Sequence, residues 1–306
     1  MRTINLGLSG LQVPAIAVGC MRINSLSKEE AERFVKGALD LGANFFDHAD
    51  IYGGGACESI FAEAIGMNSA IREKIFLQTK CAIRPGIAFD FSKAHILSAV
   101  DASLKRLNTS YLDVLLLHRP DALMEPEEVA EAFGILHANG KVRNFGVSNQ
   151  NPGMITLLQK YLKQPIVANQ LQLSITNAAM ITQGFHVNMA DEAAVSRDGN
   201  VLNFCRVHDI TIQAWSPFQH GLFKGAFLNN EDFPKLNEKL DEVAKQYGVS
   251  NTTIAMAWLL RHPAKFQPVS GSTTLARLAD CVKAADITLS REEWYAIYLA
   301  TGNILP

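Results

Sequence analysis

Short apolar runs alternate with longer amphipathic stretches along the whole chain. We predict a strand for each of eight apolar runs: Ala15–Val18, Asn44–Asp47, Ile75–Lys80, Leu112–Leu117, Asn144–Val147, Ala168–Gln170, Thr211–Ala214 and Gln267–Val269. These runs are short and carry apolar residues at nearly every position, which is typical of parallel strands buried on both faces. The pattern therefore predicts a sheet that is covered by helices.

The stretches between the strands have the periodicity of amphipathic helices. They are Ser27–Leu41, Cys57–Gly66, Phe91–Leu107, Glu125–Asn139, Gly153–Lys163, Val201–His208, Leu236–Arg261 and Leu275–Ala285. Ser27 precedes Glu30 in the pattern of a capping box, which agrees with a helix start at this point. Further helix boundaries are predicted from capping preferences at Gly42, Gly140, Gly248, Ser250 and Ser290.

Eight β/α units in 306 residues predict an α/β fold, a single (β/α)8 TIM barrel that spans residues 1–306. A doubly wound sheet is the main competitor, and it usually carries G-x-G-x-x-G after its first strand. The segment Gly19-Cys-Met-Arg-Ile-Asn after the first strand lacks that motif, and Gly53-Gly-Gly after the second lacks its spacing. The barrel is therefore the fold that the sequence favours.

One connection, from Leu171 to about Asp209, is much longer than the others. Long loops in compact domains often serve function. Two interpretations remain open. This segment either covers the substrate or lies on the surface of the barrel without contacting the substrate. Other segments expected to set substrate specificity are Arg119–Met124, Phe218–Pro234 with the apolar rings of Phe218, Phe223 and Phe227, and the tail ending at Pro306.

Composition and charge narrow the class of protein. Apolar residues make up 48% of the chain and charged residues 19%, an ordinary globular balance. With a net charge of −2, the chain lacks the excess of basic residues that favours binding to nucleic acid or to an anionic membrane. Five scattered cysteines without C-x-x-C spacing favour a reducing compartment. We therefore expect a cytoplasmic protein, a monomer or weak homo-oligomer, that binds a small molecule and neither nucleic acid nor membrane.

Four polar side chains stand at the carboxyl ends of three successive predicted strands. Asp47 closes the second strand and Lys80 the third, His118 follows the fourth, and Tyr52 lies in the loop after Asp47. In a parallel barrel these ends share one face, and neighbouring strands lie about 5 Å apart. Each residue alone is an ordinary hydrogen-bond partner, but the combination predicts one reactive pocket.

Together these residues suit the reduction of a carbonyl group. A carbonyl that receives a hydride becomes an alkoxide and needs a proton, which Tyr52 can donate. We expect the ammonium of Lys80 to lower the pKa of Tyr52 from its free value of roughly 10. Asp47 is the counter-charge that keeps Lys80 protonated, and a neutral His118 can donate a hydrogen bond to the carbonyl oxygen.

Four motifs, in order along the chain, carry a resemblance to a known family. Phe45-Phe-Asp-His-Ala-Asp-Ile-Tyr-Gly resembles the F-D-T-A-x-x-Y-G signature of the aldo-keto reductases, and Thr79-Lys80 resembles their catalytic lysine strand. Leu112-Asp-Val-Leu-Leu-Leu-His-Arg-Pro-Asp is similar to L-D-L-x-x-x-H-x-P-D, and Gly140-Lys-Val-Arg-Asn-Phe-Gly-Val-Ser-Asn to G-K-[VI]-R-x-[FIL]-G-V-S-N. The His-Ala-Asp-Ile-Tyr-Gly-Gly variant resembles a bacterial branch of predicted oxidoreductases.

The resemblance implies an NADPH-dependent carbonyl reductase whose catalytic tetrad is Asp47, Tyr52, Lys80 and His118. It also implies that Trp215 stacks on the nicotinamide ring. The carboxamide of that ring would lie against Ser148, Asn149 and Gln170. Backbone contacts to the cofactor ribose are implied for Gly19, Cys20 and Met21, and contacts to the pyrophosphate for Ser216, Phe218, Gly221, Leu222 and Lys224.

The segment Val269-Ser-Gly-Ser-Thr-Thr-Leu-Ala-Arg-Leu-Ala-Asp-Cys resembles the family's phosphate-binding element, K-S-x-x-x-x-R-x-x-E-N. By this resemblance Arg277 pairs with the 2′-phosphate of NADPH, for which a guanidinium is well suited. The cofactor residues implied in this segment are Ser270, Gly271, Ser272, Thr274, Arg277 and Asp280.

Two positions of this element depart from the family pattern. Gly271 stands where the family has lysine, and Cys281 where it has asparagine. The lost cation weakens the expected preference for NADPH, so that use of NADH stays open. Lys224 can replace part of the missing charge.

Three other interpretations fit these residues less well than a carbonyl reductase. His48 and Asp50 flank the tetrad and with His118 suggest a metal, but a supporting role explains them equally well, and we expect none. A non-catalytic, NADPH-binding subunit that reports redox state is disfavoured by the intact tetrad. A lyase that forms a Schiff base at Lys80 is disfavoured because Asp47 keeps the amine charged.

Overall fold

The computed structural model describes residues 1–306. Its strands are β1 (Thr3–Asn5), β2 (Gln12–Pro14), β3 (Ala17–Gly19), β4 (Phe45–Asp47), β5 (Phe76–Cys81), β6 (Ile83–Arg84), β7 (Ala88–Phe89), β8 (Leu112–Leu117), β9 (Val142–Ser148), β10 (Ile166–Gln172), β11 (Thr211–Trp215) and β12 (Gln267–Ser270). Eight of them close into a parallel barrel in the order β3, β4, β5, β8, β9, β10, β11 and β12, and the others form two antiparallel hairpins. The eight predicted strands are confirmed, with bounds that differ by at most two residues.

Helices surround the barrel, as expected for a (β/α)8 fold. They are α1 (Lys28–Asp40), α2 (Ala56–Ile65), α3 (Ser69–Arg72), α4 (Lys93–Arg106), α5 (Pro126–Ala138), α6 (Pro152–Tyr161), α7 (Ala179–Thr182), α8 (Val201–Val207), α9 (Pro234–Tyr247), α10 (Asn251–Arg261), α11 (Leu275–Lys283) and α12 (Arg291–Leu299). The capping box of Ser27 and Glu30 is present at the start of α1. The predicted break is also present, because Gly248 ends α9 in the left-handed region, at φ 65°.

The hairpin β1–β2 covers the amino ends of the barrel strands. The backbone N–H of Gly7, at the tip of the hairpin, donates to Thr211 Oγ1 at 2.8 Å. Gln267 Nε2, inside the barrel, donates to the carbonyl oxygen of Pro14 at 2.8 Å. The hairpin closes this end, so that only the carboxyl ends of the strands are available for a site. None of the helices combines the length and the apolar character needed to cross a membrane.

The long connection between β10 and β11 packs on the outside of the barrel. The ring of Phe185 meets that of Tyr298, on α12, with centres 5.4 Å apart. The hydroxyl of Tyr298 in turn lies 3.0 Å from Thr182 Oγ1. The connection is therefore held against the last helix. None of the residues 171–209 lines the cavity that opens at the carboxyl ends of the barrel strands.

Candidate active site

The carboxyl ends of β4, β5 and β8 bring the four candidate catalytic residues together, as expected. Lys80 Nζ lies 2.8 Å from each carboxylate oxygen of Asp47 and 3.2 Å from the hydroxyl of Tyr52. The rings of Tyr52 and His118 meet edge to face, with centres 5.9 Å apart. The strands supply this arrangement directly, because β5 pairs with β4 on one side and with β8 on the other.

Lys80 is a fully buried ammonium with four acceptors. Burial by itself would lower the pKa of Lys80, but Asp47 and Tyr52 outweigh that effect and raise the pKa above its ordinary value. The carbonyl oxygen of His48 accepts a further hydrogen bond from Nζ at 2.8 Å. The side chain is therefore charged and fixed in position beside the Tyr52 hydroxyl.

A hydrogen-bonded network of glutamine side chains inside the barrel holds Asp47 in position. Asp47 Oδ1 accepts hydrogen bonds from Gln78 Nε2 at 2.6 Å and from Gln170 Nε2 at 3.1 Å. Gln78 and Gln213 exchange amide hydrogen bonds, and Gln213 donates to Gln267 at 2.8 Å. Of these glutamines only Gln170 was anticipated from the sequence. The other three were missed because a polar residue in a short strand does not reveal which face it occupies.

Tyr52 is presented to the pocket by a tight turn, Tyr52–Gly55. Gly53, Gly54 and Gly55 have backbone φ values of 58°, 64° and 95°, in a region that residues other than glycine rarely adopt. Burial raises the pKa of Tyr52, and the ammonium of Lys80 opposes this effect without overcoming it. Lys80 therefore lowers the pKa of Tyr52 as expected, but loss of water around the hydroxyl has the larger effect, and the net pKa lies above its ordinary value. Tyr52 is a neutral phenol that retains its proton.

His118 is a neutral imidazole, as expected. Burial, together with the charges of Lys80 and Arg119, lowers the pKa of His118 to about 2. Its Nδ1 is buried without a hydrogen-bond partner, and the residue lines the cavity. His118 can therefore exchange a hydrogen bond with a bound molecule at every physiological pH.

His48 and Asp50 support the tetrad from behind. Burial lowers the pKa of His48 to about 3, and the ring packs against Phe61 with centres 4.6 Å apart. Burial and the nearby carboxylate of Glu58 raise the pKa of Asp50 to about 7. The contacts of both residues with Lys80 run through the backbone: His48 O accepts from Nζ, and Asp50 N donates to Lys80 O at 3.0 Å.

One cavity of about 680 Å³ extends from Tyr52 and His118 to the start of α11. It is lined by twelve of the residues for which cofactor contact was expected: Gly19, Met21, Ser148, Asn149, Gln170, Trp215, Ser216, Phe218, Gly271, Ser272, Thr274 and Arg277. The six expected residues absent from the lining are Cys20, Gly221, Leu222, Lys224, Ser270 and Asp280.

Burial and loop geometry explain these six differences. The side chains of Cys20 and Ser270 are packed into the barrel wall, where Ser270 Oγ donates to Cys281 Sγ at 3.7 Å. Asp280 is turned toward Lys283 on the surface of α11, 3.4 Å away. Gly221, Leu222 and Lys224 belong to the loop after β11, in which Leu222 is 55% exposed. Phe227, expected in an apolar substrate wall, is fully buried instead, whereas Phe218 and Phe223 do line the cavity.

The tyrosine end of the cavity carries a chain of polar groups. Trp215 Nε1 donates to Asn149 Oδ1 at 3.1 Å, and Asn149 Nδ2 donates to Ser148 Oγ at 2.8 Å. Ser148 Oγ donates in turn to the carbonyl oxygen of Gln170 at 2.9 Å. Donors and acceptors of this kind match those of a carboxamide, and the Trp215 ring beside them is a surface on which a flat ring can stack.

Two guanidinium groups without acidic partners line the other end. Arg277 is the cation expected there. Arg22, in the loop after β3, was missed, and its Nη2 donates to the carbonyl oxygen of Gly271 at 2.9 Å. A Cβ at position 271 would lie 3.1 Å from that nitrogen. The glycine that replaces the family's lysine therefore leaves room for an arginine from the loop after β3. A cation three residues after the end of β3 was the sequence signal for it.

Comparison with known proteins agrees with this architecture. The model of the Aldo/keto reductase family matches residues 15–299. An uncharacterized oxidoreductase, YcsN, of Bacillus subtilis is 37% identical over 303 residues, which cover 95% of each chain. The 6-dehydroglucose reductase of Agrobacterium fabrum is 33% identical and covers 96% of each chain, and the oxidoreductase YdhF of Escherichia coli is 31% identical over 97% of this chain and 96% of its own.

Solved structures share the same fold. A thermostable aldo-keto reductase, crystallised with the inhibitor epalrestat, superposes with a TM-score of 0.79 at 28% identity, over 98% of this chain and all of its own. A Bombyx mori aldo-keto reductase in complex with NADP superposes with a TM-score of 0.74 at 23% identity, over 97% and 92% of the two chains. With its closed barrel, its buried Lys80–Asp47 pair and these similarities, the chain belongs to the aldo/keto reductase family of oxidoreductases.

Proposed function

We propose that this protein reduces the carbonyl group of an aldehyde or ketone to an alcohol, with NADPH as the cofactor and Tyr52 as the proton donor. The observation that carries the proposal is the position of the Tyr52 hydroxyl. It lies 3.2 Å from a buried, charged Lys80 and on the wall of the main cavity. When bound, NADPH supplies a hydride from C4 of its nicotinamide ring to the carbonyl carbon.

The protein's own part in the reaction is to deliver a proton to the carbonyl oxygen. Tyr52 carries its proton at neutral pH, since burial raises the pKa of its hydroxyl further above neutrality, and it releases that proton as negative charge develops on the substrate oxygen. Lys80 stabilises the phenolate that remains, since its ammonium already lies beside the oxygen. Neutral His118 offers Nε2 as a hydrogen-bond donor to the same substrate oxygen. Lys80 serves as a charge and not as a nucleophile, because its amine is ion-paired.

The residues of the cavity fit the two ends of NADPH. Ser148, Asn149 and Trp215 would hold the carboxamide and the ring of the nicotinamide. At the other end, Arg22 and Arg277 would bind the 2′-phosphate beside the amino end of α11, which no side chain caps. An uncapped helix start favours an anion because its backbone N–H groups lack partners. Two guanidinium groups without acidic partners favour binding of NADPH over NADH, even though residue 271 is glycine and not the family's lysine.

The relatives are consistent with this reaction. Two of them, from Agrobacterium fabrum and Novosphingobium aromaticivorans, are named 6-dehydroglucose reductases and are each 33% identical to this chain. A carbonyl compound derived from a sugar is therefore one candidate substrate for this protein.

Tyr52→Phe tests the proposal because it removes only the hydroxyl oxygen. Turnover of aldehydes, followed by NADPH absorbance, should fall at least about 100-fold, the range expected when a general acid is lost. Binding of NADPH, measured by quenching of protein fluorescence, should persist. Tyr161→Phe is the matched control, since Tyr161 lies on α6 outside this cavity. Full turnover by Tyr52→Phe would exclude Tyr52 as the proton donor. NADPH binding by the wild-type protein without carbonyl-dependent oxidation would favour a non-catalytic subunit.

A further inference from the structure

Arg119 places a second positive charge beside the tetrad. It follows His118 at the carboxyl end of β8 and lines the cavity together with Tyr52. Its guanidinium carbon lies 5.8 Å from the centre of the Trp215 ring. The guanidinium therefore lies close to the ring on which the nicotinamide would stack, in the cavity that the proposed proton donor also lines.

The guanidinium of Arg119 has no hydrogen-bond or ion-pair partner in the protein. The contrast with Arg72 is informative, because Arg72 donates to Asp113 at 2.7 Å and to two backbone carbonyls. Arg106 likewise pairs with Glu58 at 2.7 Å. A guanidinium carries five N–H donors, and a partly buried one without acceptors loses the hydrogen bonds that water would supply. Arg119 therefore has donors that are available to a molecule bound in the cavity that it lines.

The charge around Arg119 is not compensated either. Asp47 is the only carboxylate among the residues that line the cavity, and Lys80 already neutralises it. The Arg119 side chain is also partly buried, and this loss of surrounding water lowers the pKa of its guanidinium. A bound molecule that brings an acceptor oxygen would restore both the hydrogen bonds and the charge balance.

We propose that Arg119 binds an oxygen-bearing group of the substrate next to the reacting carbonyl. The preferred substrates are then aldehydes or ketones that also carry a carboxylate or hydroxyl groups, and simple hydrocarbon aldehydes are poor substrates. This inference rests on the proposed carbonyl reduction and deepens it. The apolar side of the cavity, formed by Ile51, Ile83, Phe218 and Phe223, would contact the rest of the molecule.

A different role for Arg119 would have a different signature. Its charge also favours the phenolate of Tyr52, since the two groups interact electrostatically. If that were its main function, loss of the charge would slow all substrates by one factor and shift the pH profile. Substrate recognition instead changes the ratio between substrates that bear and lack the oxygen group.

The test compares two matched pairs of aldehydes in the wild-type protein and in Arg119→Met, a substitution of similar length without donors. The first pair is succinic semialdehyde and butanal, and the second is glyceraldehyde and propanal. We expect the wild-type protein to prefer the oxygen-bearing member in kcat/KM by about tenfold or more, the effect of one hydrogen bond to a charged group. In Arg119→Met this preference should nearly disappear. Arg33→Met is the matched control, because Arg33 is exposed on α1 and does not line the cavity.

The outcomes separate the possibilities. Loss of preference in the first pair assigns Arg119 to a carboxylate, and loss in the second pair assigns it to hydroxyl groups. Equal ratios in the wild-type and variant proteins for both pairs overturn the inference. A uniform loss over all four aldehydes with a shifted pH profile also overturns it, in favour of an effect on Tyr52. No turnover of any carbonyl compound by the wild-type protein contradicts the proposed function itself.

Discussion

Replacing the buried ion pair of Lys80 and Asp47, one residue at a time and then together, tests how the site is built. Lys80 has no exposed surface and donates to both carboxylate oxygens at 2.8 Å. In Lys80→Met the carboxylate keeps only the amide donors of Gln78 and Gln170. Leaving one charge of a buried pair without its partner costs about 3–5 kcal/mol in the free energy of unfolding. Asp47→Asn should cost a similar amount, because it leaves the buried ammonium of Lys80 without its counter-charge.

The double variant Asp47→Asn/Lys80→Met gives the decisive measurement. It removes both charges, and neutral groups in place of a buried ion pair are often tolerated without loss. We expect it to lose no more than about 2 kcal/mol, so that the two substitutions couple by several kcal/mol. Urea unfolding followed by tryptophan fluorescence gives the stabilities, and NADPH consumption gives the activity. All three variants should be inactive. Additive losses of stability, or turnover by Lys80→Met, would refute the reasoning.

Three further predictions concern the cofactor, the pH dependence and the barrel. Arg22→Ala and Arg277→Ala should each weaken NADPH binding about tenfold and NADH binding much less, with Arg33→Ala as the control; equal losses for the two cofactors would contradict a 2′-phosphate site. Burial raises the pKa of Asp50 to about 7, so the folded state holds this proton more tightly than the unfolded state. The resulting stability is full below the unfolded pKa of 3.8 and is lost as the pH rises through 7. Asp50→Asn should therefore stabilise the protein by on the order of 4 kcal/mol more at pH 8 than at pH 4 in thermal melts, and an equal effect at both values would argue against it. Gly146→Ala places a Cβ 2.7 Å from a backbone carbonyl oxygen of β10 and should cost about 1–3 kcal/mol in urea unfolding; a cost near zero would show that the strands can separate.

Hydrophobic periodicity predicted the barrel well because its strands are short, mostly apolar and buried on both faces. The run Leu112–Leu117 coincides with β8, in which every residue is buried. The same signal failed for the hairpins β1–β2 and β6–β7. Their strands are only two or three residues long, and so short an alternation cannot be distinguished from a loop.

The sequence by itself determined the order of the elements, the strand ends that carry Asp47, Lys80 and His118, and the family. These features are local, since strand pattern and motif spacing depend on neighbours along the chain. Only the tertiary structure decided the ionisation of Tyr52 and the contact of Arg22 with Gly271. The pKa of Tyr52 is set by how much water the fold removes around its hydroxyl. The Arg22–Gly271 contact joins residues 249 positions apart, which only closure of the barrel between β12 and β3 brings together.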